Sequence, residues 1–308
     1  MMNDVRDFAE RVKKFYYSRA LLCEKLIDGA VTINGLEMEM PPLDFNPFEN
    51  FYIESYLIGC AAIDGLAFIW EQESICKNLG NKIRFTKFLI ELDTHKRMER
   101  VCTPFLVFHL KKKRIEEPFV NKVKAKWLES RRQCESHRVY EDPTVSELQK
   151  IYQECYRQNR IPNNKKLTDS NNTFSLFTYA ALIYKFYRCP FVHEFRAHKY
   201  ATFFNEKNEI SVREFHSTIS LPDEIVSKAS INFDERMEYY KVIECDEVKP
   251  QLDIGIGVLT DSIRRGADKV FDLILDKQLT DIPYGSKDEI KINVGGKQKG
   301  TSKNRSTY

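Results

Sequence analysis

Residues Phe51 to Trp70 are almost continuously apolar, yet they carry Glu54, Asp64 and two glycines. A stretch of this length is close to what a bilayer crossing needs. Carboxylates inside hydrocarbon are costly, however, so the stretch reads as a helix buried in a protein core. Ile53, Tyr56, Leu57, Cys60, Ile63, Ala67 and Phe68 fall on one side of that helix, with Asp64 inside the same stripe. An acidic side chain in such a place is costly unless it is paired. The fold must therefore surround this helix with other elements and supply Asp64 with a cation.

The chain of 308 residues is long enough for either one elaborated core or two domains. Apolar residues make up 42% and charged residues 30%, the balance of a soluble globular protein rather than a membrane one. A net charge of +3 creates no strong long-range field, so a polyanion would have to be held by a local patch. The N-terminus, MMNDVRDFAERVKK, spreads charge through its first turns with no apolar signal region, which points to the cytoplasm. Eight cysteines lie far apart with no CxxC, as expected of reduced thiols.

Hydrophobic spacing predicts an amphipathic helix over Val5 to Ile27 through Phe8, Val12, Phe15, Tyr16, Leu22 and Leu26. Pro41, Pro42 and Pro47, with Gly29 and Gly35, make Gly29 to Asn50 an irregular crossover or a short strand pair. A shorter helix follows around Ile83 to Leu92, and Arg100 to Gln133 is helical again with Pro104 and Pro118 as punctuation. Thr144-Val-Ser-Glu147 has the spacing of a capping box and opens a helix through Cys155. Asn171 or Asn172 can cap the next, a core helix over Thr173 to Tyr187. Ala201 to Phe204 and Glu209 to Phe215 suggest a hairpin around Asn205-Glu-Lys-Asn208, and Glu238 to Cys245 could add a strand. Leu252 to Leu279 is expected as a last long helix, and Gly285 to Tyr308 as a flexible, lightly basic tail. Since two hairpin strands are marginal alone, they should lean on the helices, and residues 1–284 are read as one domain.

Two arginines are each followed five residues later by a histidine, Arg132 to His137 and Arg188 to His193. The first pair ends a charged helix before Glu141-Asp-Pro143, where a solvated terminus explains it. The second follows the most apolar helix and flanks Pro190, a residue that can end one helix and start another. Arg188 there either satisfies the preceding helix end beside a hydrogen-bonded core histidine, or joins His193 in a site. Arg188 or His193 is the expected partner of Asp64, against a purely structural bridge from Asp64 to another arginine. Tyr184 and Tyr187 could stack on a base, although aromatic residues at helical spacing are more often core. Cys134 with His137 and Cys189 with His193 would supply two thiols and two imidazoles for a metal, but Pro190 interrupts the second pair and no tight thiol spacing exists. No Gly-rich phosphate loop, nucleophile elbow or paired-histidine metalloprotease motif is present, and neither metal nor cofactor is expected.

The stretch Leu182-Ile-Tyr-Lys-Phe-Tyr-Arg-Cys-Pro-Phe-Val-His-Glu-Phe-Arg196 resembles the signature of HEPN domains, an arginine, four to six residues and a histidine at the start of a bundle helix. Tyr56-Leu-Ile-Gly-Cys-Ala-Ala-Ile-Asp64-Gly-Leu-Ala is similar to the first core helix of that family, and Arg84-Phe-Thr-Lys-Phe-Leu89 to the segment after it. Many active members have Asn, Asp or His directly after the arginine, where this chain has Cys189. The resemblance implies a mainly α-helical bundle, here with a small β-hairpin insertion and a long C-terminal helix. It also implies a dimeric, metal-independent endoribonuclease of the toxin or defence kind, with RNA as substrate and an antitoxin or other protein as partner. Arg188 and His193 would be catalytic, supported by Asp64, Glu194, Tyr184 and Tyr187. The alternative is a catalytically silent HEPN-like module that binds a protein partner or nucleic acid.

Overall fold

Apolar residues spaced three and four apart draw the first helix, α1 (Met2–Ile27), onto the core through Val5, Ala9, Val12, Tyr16, Ala20, Cys23 and Leu26, all buried. Phe15, expected on that face, is 50% exposed and lies under the Arg19 guanidinium at 4.6 Å instead. The computed structural model describes residues 2–27, 30–33, 36–39, 51–73, 79–113, 117–128, 139–157, 169–194, 198–202, 209–215 and 249–280. The first arginine–histidine pair, Arg132 and His137, lies outside these residues, as do the strand expected over Glu238 to Cys245 and the tail from Gly285.

After α1 come a two-stranded antiparallel pair, β1 (Ala30–Ile33) and β2 (Leu36–Glu39), and then α2 (Tyr52–Glu73), the apolar helix of the opening argument. Length and mean hydropathy would allow Tyr52–Gln72 to cross a membrane. In the fold this helix packs against α1, α3 (Asn81–Leu92) and the last helix, α10 (Ile256–Lys277), with Tyr56, Cys60, Ile63, Leu66 and Ala67 buried. Its Gly65 sits where a Cβ would come within 2.7 Å of the Tyr16 hydroxyl, so a side chain there would force the Tyr16 ring to shift. At the other crossing, a Cβ on Gly266 of α10 would meet Phe88 and Leu66 at 3.0 and 3.1 Å. Polar contacts register the α1–α10 seam: Arg264 to Glu24 at 2.7 Å and the Tyr17 hydroxyl to Asp268 at 3.0 Å.

A second layer follows with α4 (Thr103–Lys112), α5 (Glu117–Trp127) and α6 (Val145–Arg157). The capping box opens α6 as expected: Glu147 N–H donates to Thr144 Oγ1 at 3.3 Å, and Thr144 N–H to the Glu147 carboxylate at 2.7 Å. Asp142, fully buried, accepts from the Thr103 hydroxyl and from the Tyr179 hydroxyl, tying this layer to the motif region.

The core helix expected over Thr173 to Tyr187 is broken. A short α7 (Ser170–Ser175) is capped by Asp169 rather than by Asn171 or Asn172, and Thr178 caps a new helix, α8 (Tyr179–Ile183). The break lets Tyr179 and Ala180 N–H bond to Arg100 and Met98 carbonyls. Beyond α8 the backbone widens into a π turn, Tyr184–Arg188, before α9 (Cys189–Glu194).

The sheet corrects the expected hairpin. β3 (Ala201–Thr202) and β4 (Ile210–Phe215) do not pair with each other. Both pair with β5 (Lys249–Ile254), β3 in parallel from Ala201↔Leu252 and β4 antiparallel from Ile210↔Ile254 to Phe215↔Lys249. Sequence reasoning folded the end of β5 into the last helix. Pro250 argues against a central strand, but the β3 ladder begins only at Leu252, so its missing N–H leaves no gap there. The mainly helical architecture, with a small antiparallel β element and a long C-terminal helix, stands as the sequence leads one to expect.

Candidate functional site

Pro190 explains the local backbone. It has no N–H to give the carbonyl four residues back, and its ring crowds that carbonyl, here Phe186. The chain answers with one wider turn, in which Cys189 N–H bonds to Tyr184 O five residues earlier. That extra residue turns Arg188 inward toward α2, where it is buried.

Arg188 Nη2 donates to Asp64 Oδ2 at 2.7 Å, confirming Asp64 as the carboxylate that needed a cation and Arg188 as its partner. The Tyr184 ring covers the guanidinium with its centre 5.3 Å from Cζ, and Phe85 packs edge-on against Tyr184. Burial pulls the guanidinium pKa down, but the hydrogen bond and charge of Asp64 outweigh this and leave it raised. Arg188 is a fixed, permanent cation.

Its other nitrogen, Nη1, lies 3.5 Å from His193 Nε2, at the outer edge of hydrogen-bond range, so the two groups stand side by side. His193 and Glu194 are both exposed on α9. The site thus joins a partly buried acid and a buried arginine to a histidine at the surface. Tyr184 belongs to it, half-buried, and burial followed by the nearby Cys189 raises its hydroxyl pKa. Tyr187 does not. It is fully buried, stacked on Tyr56 at 5.5 Å with its hydroxyl donated to Leu252 O, so it braces α2 and the sheet and has no face to offer a base.

Two further members escaped sequence reasoning. Arg84 on α3 reaches Asp64 Oδ1 at 3.6 Å and Glu71 Oε2 at 3.0 Å, its guanidinium over Phe68 at 5.3 Å. Asp64 and Glu71 are seven residues apart on α2 and so share a face, which was the available signal: two carboxylates in an apolar helix ask for more than one cation. Among the described residues no three His, Cys, Asp or Glu side chains gather as a metal site would need, and Cys134 and His137 lie outside them. An open cleft of about 830 Å3 lies on the opposite face of α3, lined by Lys82, Ile83, Lys87 and Leu176, and none of Asp64, Arg188 or His193 reaches it.

Comparison with protein-family models, with curated proteins and with solved structures finds no match to this chain.

Proposed function

We propose that this protein is a metal-independent endoribonuclease of HEPN type, a cytoplasmic effector of the toxin or defence kind that acts as a homodimer. The observation that carries the reading is the pairing of Arg188, clamped by Asp64 and Tyr184, with an exposed His193 beside its free Nη1. Cleaving RNA through its own 2′-hydroxyl requires a base at that hydroxyl, an acid at the departing 5′-oxygen and a cation on the pentavalent phosphate. A histidine titrates near neutrality and serves either proton role. The arginine stays charged, and with Nη2 held by Asp64 it has Nη1, the edge beside His193, to offer a phosphate oxygen.

One chain supplies one such pair. Two chains about a two-fold axis bring two histidines and two arginines to one phosphate, enough for base, acid and clamp. The 2′-oxygen attacks phosphorus while one His193 takes its proton, and His193 of the other protomer protonates the leaving 5′-oxygen. The products are a 2′,3′-cyclic phosphate and a 5′-hydroxyl.

A second reading, a catalytically silent module that binds a protein partner or nucleic acid, is favoured by the depth of Arg188, whose side chain is 10% exposed with Asp64 on one edge. The two readings part in an RNA cleavage assay in EDTA. The wild-type chain is expected to cut, Arg188→Ala and His193→Ala to lose at least about a hundredfold, and Arg132→Ala and His137→Ala to change little. Cleavage that needs added metal, or that survives in both core-pair variants, overturns the nuclease.

A further inference from the structure

We propose that Arg84 is a positioning residue for Arg188: its charge, 3.6 Å from one oxygen of Asp64 and not hydrogen-bonded to it, draws that oxygen away from Arg188 Nε, so that Asp64 keeps a single-point grip on Arg188 and Nη1 stays at His193. The proposal rests on the nuclease reading for its consequence in catalysis, though not for its geometry.

An arginine meeting a carboxylate usually makes two parallel bonds. Arg188 offers Nη2 to Asp64 Oδ2 at 2.7 Å, and the second bond along the same edge would run from Nε to Oδ1. It is not made. Arg188 Nε and Asp64 Oδ1 are both buried with no hydrogen-bond partner among the described residues. Leaving a matched donor and acceptor unpaired is costly, so something must hold the carboxylate in its half-turned position.

Arg84 is the group in place to do so. Its Nη2 faces Asp64 Oδ1 at 3.6 Å, while Nη1 is fixed to Glu71 Oε2 at 3.0 Å and Nη2 also bonds Asn81 Oδ1 at 3.0 Å. Glu71 is itself 3% exposed and accepts from Leu79 N–H. Glu71, Arg84, Asp64 and Arg188 form one line of alternating charge, and His193 stands beside its last member at the surface. Without Arg84, Asp64 is released to rotate, close the second bond to Arg188 Nε and draw the guanidinium off His193.

The test uses Arg84→Met combined with Glu71→Gln, so that no buried acid is left stranded, and Arg84→Lys as the variant that keeps charge on Asp64. A crystal structure of the double variant is expected to show Asp64 bridging Arg188 Nε and Nη2, with Nη1 farther from His193 than in wild type. In cleavage assays the double variant should lose about 10- to 100-fold in kcat, the scale of an ångström-sized misplacement, with KM within about twofold. Arg84→Lys should recover most of that loss. An Arg188 that keeps its single-point grip in the double variant, or a wild-type kcat, overturns the proposal. If the wild-type chain does not cleave RNA at all, the nuclease reading falls, while the crystal structure still decides what Arg84 does.

Discussion

Asp64 is the residue whose chemistry the sequence made most legible. A carboxylate within an apolar helix stripe has few ways to exist, and the demand for a cation pointed to Arg188 or His193, with another arginine as the alternative; Arg188 donates to it at 2.7 Å. Arg84 stayed hidden because nothing in its own neighbourhood marks it: an arginine near a helix start is ordinary, and only the fold shows that α3 presents it to two acids on α2 at once. Since both guanidiniums depend on the same carboxylate, Asp64→Asn should cost about 3 kcal/mol of stability, the low end for breaking a buried pair from one side. Urea denaturation reads this directly. A loss below about 1 kcal/mol would mean the network contributes no more than surface bridges do.

At the scale of elements, capping chemistry was readable and backbone register was not. Thr144 and Glu147 form the reciprocal bonds that their spacing announces. The Thr144 N–H bond holds the Glu147 carboxyl below its ordinary value, against a smaller opposing effect of burial. Its contribution is therefore present above the unfolded carboxylate range and disappears as pH falls through the lowered folded value. Glu147→Gln should destabilise the protein at neutral pH and make little difference once the medium is acid enough to protonate both states, which thermal melts across pH can check. The π turn was out of reach because Pro190 shows where an α-helical bond must fail, not how the chain absorbs the failure. Pro190→Ala restores an N–H for Phe186 O and allows an ordinary α register, which would rotate Arg188 away from Asp64. The expected outcome is cleavage reduced about tenfold or more. Equal activity would show that the wide turn does not place the arginine.

For the whole molecule, the mainly helical body and the long final helix followed from periodicity, while the sheet order did not. Strand pairing is a long-range choice, and β5 joins β3 and β4 from far along the chain. No local signal announces such a partner, whereas a four-residue polar loop between two strand-like runs does announce a hairpin. Assembly is the remaining whole-molecule question, because a single chain holds one Arg188 and one exposed His193. Light scattering at micromolar concentration should give twice the mass of one chain. A strict monomer would leave half a catalytic set and favour the binding module.

The most direct measurement is the chemistry of the cut ends after incubation of RNA with the wild-type chain in EDTA. A 2′,3′-cyclic phosphate on one product and a 5′-hydroxyl on the other, with no cut where the substrate carries deoxyribose at the scissile position, is the expected result. Products ending in 3′-hydroxyl and 5′-phosphate, or equal cleavage of the deoxyribose substrate, would contradict the claim that Arg188 and His193 drive attack by the 2′-hydroxyl.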